Sequence, residues 1–179
     1  SRPHMPYKGL IMAILISPMI VPLIITAAGM FFFYARINLV YSFTGIILAH
    51  VALATPFVVI TVTATLVGFD MNMVKASQSL GARPVRTFFK VIMPLILPGV
   101  ISGALFAFIT SFDEVVIVMF MASLDQLTIP KQMWAGIRQE ISPVILCMAT
   151  CLVVLSILLL TTVELLRRRS EKLRGITSR

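Results

Sequence analysis

Charge is scarce in this chain. Asp, Glu, Lys and Arg make up 12% of its 179 residues, and only seven residues are acidic. A soluble domain carries about 25% charge, so this chain cannot keep its apolar residues, 59% of the total, in water. A soluble enzyme, a nucleic-acid-binding domain and a disordered tail are excluded as descriptions of the whole. Cysteine is nearly absent. Cys147 and Cys151 stand four apart, one helical turn, and read as small apolar packing residues rather than a redox pair. No Cys/His cluster has metal-ligand spacing, so no metal or other cofactor is expected. The sequence also lacks a G-x-S-x-G elbow and a Gly-rich phosphate loop, so no familiar catalytic or nucleotide site is expected.

What is present is long apolar sequence, with a mean hydropathy of +1.01. Residues 9–35, 37–69, 91–112 and 141–163 hold no charge. A helix needs roughly 20 apolar residues to cross the hydrocarbon core. The sequence therefore predicts an all-α, polytopic bundle with four spans near 10–35, 42–67, 95–122 and 143–166. The third is expected to continue past Asp113 and Glu114, because Val115–Ala122 is apolar again.

The net charge of +8 would suit nucleic acid in a soluble protein, but here it reports topology. Arg2 and Lys8, then Lys75, Arg83, Arg86 and Lys90, then six cations in the tail lie on one side, twelve in all. Arg36, Lys131 and Arg138 lie on the other. Both termini and the 68–93 connection are expected to be cytoplasmic, and residues 36–41 and 123–142 to face outward. The chain divides into a loop remnant (1–9), a transmembrane domain (10–166) and a basic cytoplasmic tail (167–179). Its start, Arg2-Pro3-His4-Met5-Pro6, reads as loop sequence cut from something longer.

The 68–93 connection is patterned. Asp70 suits a helix N-cap, with Phe69 and Val74 spaced as a hydrophobic staple. Leu80-Gly81 reads as a helix end, with Gly81 free to take positive φ. Pro84 suits the first turn of a second short helix, about 84–91, carrying Val85, Phe88 and Phe89 on one side with Arg86 and Lys90 flanking. Pro94 is expected to stop it at the membrane. The residues alone leave this element open between an amphipathic loop lying on the bilayer and a docking surface.

Lys75-Ala76-Ser77-Gln78-Ser79-Leu80-Gly81, nine residues, then Val91-Ile92-Met93-Pro94 resembles the EAA loop of permease subunits of binding-protein-dependent ABC importers. That pattern is Glu-Ala-Ala, three residues, Gly, nine residues, then Ile-x-Leu-Pro. Ala82 and Pro98-Gly99 fit as well, while Lys75 stands where the family usually has Glu and Ser77 at the second Ala. The resemblance runs from Pro18-x-x-x-Pro22 to the basic tail and implies the C-terminal four spans of a permease of about six. It implies that Lys75, Ala76, Ser77, Leu80, Gly81, Ala82, Phe88 and Pro94 belong to a coupling loop seated on an ATP-hydrolysing subunit. It further implies a pair of such subunits, a second permease subunit, an extracytoplasmic solute-binding protein and a multi-pass position in a bacterial inner membrane. ATP would be bound by the partner, and this chain would not itself be an enzyme.

Asp113 and Glu114 lie inside the third span, where an ionised carboxylate costs roughly 2.5–3.5 kcal/mol on insertion scales. Asp113 stands about 22 Å along the helix from Pro98 at 1.5 Å per residue, in the outer half. Consecutive residues diverge by about 100°, so both acids cannot face one cavity fully. They read either as path or gate residues or as acids held by a neighbouring helix. His50, about 12 Å from the outer end of its helix, reads as a path residue or as a neutral imidazole satisfied by a backbone carbonyl. Gly99, Gly103, Ala107 and Ser111 recur at every fourth position, which suits close helix packing more than substrate contact. Pro18, Pro22 and Pro56 should kink or locally open their helices. Ser111-Phe112-Asp113-Glu114 resembles the spermidine/putrescine branch of these permeases, in which acids along the path would suit a polycation. Ferric ion, opine or amino-acid-like solutes are the alternatives within the class. A passive channel and an intramembrane enzyme are the alternatives outside it.

The outer connection holds Leu127-Thr128-Ile129-Pro130 and Met133-Trp134-x-x-Ile137, which predict a short interfacial helix anchored by Trp134.

Overall fold

The computed structural model describes residues 6–139 and 143–173. Among them the chain is all-α. Its helices are α1 (Lys8–Ile20), α2 (Leu23–Arg36), α3 (Phe43–Val67), α4 (Asn72–Ser79), α5 (Pro84–Thr87), α6 (Met93–Phe112), α7 (Val116–Met121), α8 (Ile129–Gln139) and α9 (Pro143–Leu173), with a π-helical turn at Phe88–Ile92 before α6. Three stretches are long and apolar enough to cross a membrane: Phe43–Val67, Pro84–Phe112 and Pro143–Thr162. The bent pair α1 and α2 would make a fourth.

The centre of the bundle is α3 against α6, the most extensive helix pair. The small stripe on α6 lets the backbones approach. A Cβ on Gly103 would stand 2.9 Å from Val58 Cα, and one on Gly99 would stand 2.9 Å from the Thr61 carbonyl and run into the Thr65 hydroxyl. The opposing threonines spend their hydroxyls on their own helix, Thr61 donating to the Phe57 carbonyl (2.9 Å) and Thr65 to that of Thr61 (2.9 Å). The face they present is therefore polar-satisfied and narrow, and van der Waals packing holds it to the glycines. Ser42 caps α3, its hydroxyl accepting from Gly45 N–H at 3.0 Å.

Three expected spans differ from the observed helices. The first is broken: α1 and α2 meet at a bend of 110° around Val21-Pro22. Pro22 has no N–H to continue α1 and instead starts α2, its carbonyl accepting from Ile25 and Thr26 N–H. Pro18 and Pro56, by contrast, lie inside helices that run on. The third span does not continue past the acids. α6 ends at Phe112, and the Glu114 carboxylate accepts from Ile117 N–H at 2.7 Å, so the acid caps a new helix, α7. α7 is core: Ile117, Val118 and Met121 are fully buried, and Ile117 and Met121 pack with Ala27, Ala49 and Leu53 of α2 and α3. The fourth helix runs to Leu173, past the expected span end at 166 and into the basic tail, with Arg168 paired to Glu164 one turn back at 2.8 Å. The loop remnant is also shorter than expected, since α1 starts at Lys8; residues 1–5, 140–142 and the tail beyond Leu173 lie outside the described residues.

The outer connection is tied to the core. Tyr41 N–H donates to the Met121 carbonyl (2.9 Å), Gln126 Nε2 to the Tyr41 carbonyl (3.3 Å), and Lys131 Nζ to the carbonyls of Ser123 (3.2 Å) and Gln126 (3.4 Å). α8 is the expected short helix, with Trp134 half-exposed on it. Cys147 and Cys151 are exposed on the apolar surface of α9.

Candidate functional site

The 68–93 element is built as a bend. Asp70 Oδ1 accepts from Asn72 N–H at 2.9 Å, closing a turn at the start of α4 one residue before the helix's first turn proper. α4 holds Lys75, Ala76 and Ser77. Gly81 takes φ 79°, a conformation that side chains with a Cβ resist, and the N–H groups of Leu80, Gly81 and Ala82 bond back to the last carbonyls of the helix. Pro84 then opens α5. Ser77 Oγ and Thr87 Oγ1 lie 2.9 Å apart in a hydrogen bond, and Thr87 is 2% exposed, so this bond pins the two arms together. The Ser77 hydroxyl thus points inward, while Ala76 and Lys75 stay on the outside. Leu80 is 88% exposed, and Met73, Val85 and Phe89 are also well exposed, apolar side chains left uncovered among the described residues. Phe88 meets Phe89 edge-on at 5.2 Å.

Pro94 was expected to end this element, and it does not. The helix widens to a π turn at Phe88–Ile92, with Met93 N–H bonded to the Phe88 carbonyl five residues back. The wide turn relieves the clash between the Pro94 ring and the preceding turn. The helix therefore continues from Pro84 to Phe112, 29 residues, roughly 43 Å at 1.5 Å per residue.

At the far end of that helix stand the intramembrane polar residues. The two acids diverge as their spacing requires: Asp113 is exposed and Glu114 is 6% exposed. Glu114, His50 and Ser111 share a cavity of about 350 Å³ with Phe108, Phe112 and Thr128. Asp113 lines a neighbouring cavity of about 300 Å³, whose walls are mostly apolar and include the same two phenylalanines. Phe108 and Phe112 stack at 5.4 Å with rings 26° apart. His50 Nδ1 and Ser111 Oγ are hydrogen-bonded at 2.7 Å, so its partner is this side chain and not the expected backbone carbonyl. Among the described residues, His50 Nε2 is buried with no hydrogen-bond partner. A carboxylate, an imidazole and a hydroxyl beside two ring faces can bind an ammonium group: oxygens and ring nitrogen accept its N–H groups, and the rings take cation and methylenes.

Comparison with known proteins places this architecture. The family described as "binding-protein-dependent transport system inner membrane component" matches residues 2–172, nearly the whole chain. The chain belongs to that family. It is similar to the spermidine/putrescine transport system permease protein PotC of Haemophilus influenzae, 31% identical over 164 residues, which cover 92% of this chain and 62% of the relative. PotC of Escherichia coli K12 is 29% identical over 165 residues, 92% of this chain and 61% of the relative. The putrescine transport system permease protein PotI of the same strain is 29% identical over 140 residues, 75% and 50%. The chain thus spans about three-fifths of the length of the PotC relatives.

In this permease-family chain the structure unites His50, Ser111 and Glu114 and leaves Asp113 in a separate recess. Sequence reasoning missed Phe108, Phe112 and Thr128. The phenylalanines carried a signal, one helical turn apart and on the same face as the polar residues. Thr128 carried none, because it stands in the outer connection and only tertiary packing brings it to this cavity.

Proposed function

We propose that this chain is part of the membrane-spanning permease subunit of an ATP-driven importer, and that its solute is a polyamine such as spermidine or putrescine. An extracytoplasmic binding protein delivers the solute. A pair of cytoplasmic ATP-binding subunits supplies the energy, and a second permease subunit completes the pathway. The C-terminus and the 68–93 element face the cytoplasm. Family membership supports the class of transporter, and the printed names of the relatives support the solute.

The single observation that carries the mechanism is the unbroken helix from the docking bend to the cavity. The exposed ridge around Ala76 and Leu80 offers a seat for the ATPase subunit. The Ser77–Thr87 bond and the Gly81 bend make that seat rigid, so movement imposed on it passes into the helix beginning at Pro84. About 36–42 Å along from Pro84 the same helix carries Phe108, Ser111 and Phe112, three lining residues of the Glu114 cavity. ATP binding on the partner shifts the population between two arrangements of the bundle, and the solute must contact them differently. Glu114 supplies a buried charge whose attraction for an ammonium group offsets part of the cation's lost hydration.

The test is uptake of labelled spermidine and putrescine by vesicles holding the full-length permease, its ATPase and its binding protein. ATP-dependent uptake, competed by unlabelled polyamine and not by ferric ion or amino acids, is the expected result. Transport of another solute with polyamine ignored would overturn the substrate assignment and leave the importer reading standing.

A further inference from the structure

The outer face of the docking bend is positively charged as well as apolar. On α4 the half-buried side chains are Val74 and Ser77, the latter bonded to Thr87. At about 100° per residue, the opposite face is made of Asn72, Lys75, Ala76 and Ser79, all exposed. Any partner that covers Ala76 therefore comes against Lys75. Residues 68–93 hold four cations, Lys75, Arg83, Arg86 and Lys90, against one acid, Asp70. The Asp70 carboxylate already accepts from Asn72 N–H. On the other side of the bend, a groove of about 360 Å³ runs between Leu80–Ala82 and the side chains of Arg86 and Lys90.

A lysine taken out of water by a docked protein is costly unless a carboxylate or several acceptors meet it. Complementary potentials also set which partner seats and how fast. Resting on the importer reading above, we infer that the ATP-hydrolysing subunit of this system presents acidic side chains to the bend, one opposite Lys75 and one toward the Arg86–Lys90 groove. This is a statement about the partner's chemistry: its seat is apolar at the centre and negatively charged at the rim. It also makes this permease selective, because an ATPase whose seat carries cations at those places is repelled.

The experiment uses the full-length permease in detergent without added lipid and measures capture of its own ATPase subunit at low and high NaCl. The parent protein is expected to capture the subunit less well as salt rises, because exposed charges are screened. Lys75→Glu and Arg86→Glu are each expected to weaken capture by at least about tenfold, since like charges at an interface repel. Changing an acidic residue of the ATPase seat to lysine should restore capture by Lys75→Glu and weaken capture by the parent. A parent permease that captures no ATPase subunit at any salt overturns the importer reading and this inference with it. If the parent captures it and Lys75→Glu captures as much, with no salt dependence, only this inference falls. Capture that requires added anionic lipid, and ignores acid-to-lysine changes in the ATPase, assigns the cations to the bilayer and also overturns it.

Discussion

Replacing Glu114 by glutamine removes one negative charge and keeps the shape, so it separates the residue's bond to α7 from its proposed role in the path. Its Oε1 accepts from Ile117 N–H at 2.7 Å and starts α7, a core element. Glutamine has a carbonyl oxygen that can take the same bond. What glutamine loses is the charge facing the cavity of about 350 Å³ that Glu114 shares with His50 and Ser111. A hydrogen bond to a charged group contributes about 1.5–3 kcal/mol and a neutral one about 0.5–1.5 kcal/mol. The difference, about 1–1.5 kcal/mol, is roughly a 5- to 13-fold fall in affinity. Polyamine uptake at low substrate is expected to drop by that factor, with ATPase capture retained. Glu114→Ala removes the cap as well, at about 0.5–2 kcal/mol, and should lower the Tm of the detergent-solubilised permease where glutamine does not. Asp113→Asn, at an exposed acid, should reduce uptake less. The measurements are labelled-polyamine uptake in vesicles, a pull-down of the ATPase subunit and a melting curve. Parent-rate uptake by Glu114→Gln would refute the path assignment. Loss of assembly in both variants would show that Glu114 serves only the fold.

Three further outcomes are expected. Gly103→Ala should cost about 1–3 kcal/mol of stability, as overpacking does, because its Cβ would meet Val58 backbone at 2.9 Å; Gly68→Ala, with nothing within 4 Å, should melt close to the parent. Gly81→Pro should abolish transport while leaving the protein inserted in the membrane, since a φ of 79° is closed to proline, and normal uptake would sink the coupling role of the bend. His50→Phe and Ser111→Ala should each lower the Tm, and the double variant should lose less than their sum by about 0.5 kcal/mol or more, as residues sharing a hydrogen bond do; strict additivity would mean that the 2.7 Å bond contributes nothing.

The apolar runs gave the spans because a bilayer demands about 20 such residues whatever the packing. The bend at Gly81 was legible because glycine after a helix, followed by proline, has few local solutions. The small stripe from Gly99 to Ser111 was readable as packing for a similar reason: spacing of four puts it on one face. The errors share one cause. Each arises where a helix could either stop or continue, and the choice depends on tertiary context. Pro94 looked like a stop, yet a π turn lets the helix through it. Val115–Ala122 looked like more of the same span, yet a glutamate can cap a new helix as readily as it can ride in an old one. Neither the wide turn nor the packing of α7 into the α2–α3 core leaves a periodic mark in the sequence.

Those two departures bear directly on the proposed mechanism. Had the helix stopped at Pro94, the docking bend would be joined to α6 by a flexible joint, and motion of the bend would be absorbed there. Had α6 run on through the acids, Asp113 and Glu114 would project from a straight cylinder, and Glu114 would have no backbone N–H to hold. With both departures, α6 starts as a continuation of the bend and ends at a break. The carboxylate just past the break is fixed to α7, which is packed into α2 and α3, while Ser111 and the two phenylalanines just before it belong to α6. The cavity thus has one wall anchored in the core and one wall attached to the docking bend. In the proposed mechanism, a small displacement of α6 would change its width and strain the His50–Ser111 bond, without requiring Glu114 to move. In the proposed mechanism, a charge fixed to α7 beside an aromatic wall carried on α6 would let one helix alter how tightly a cation is held.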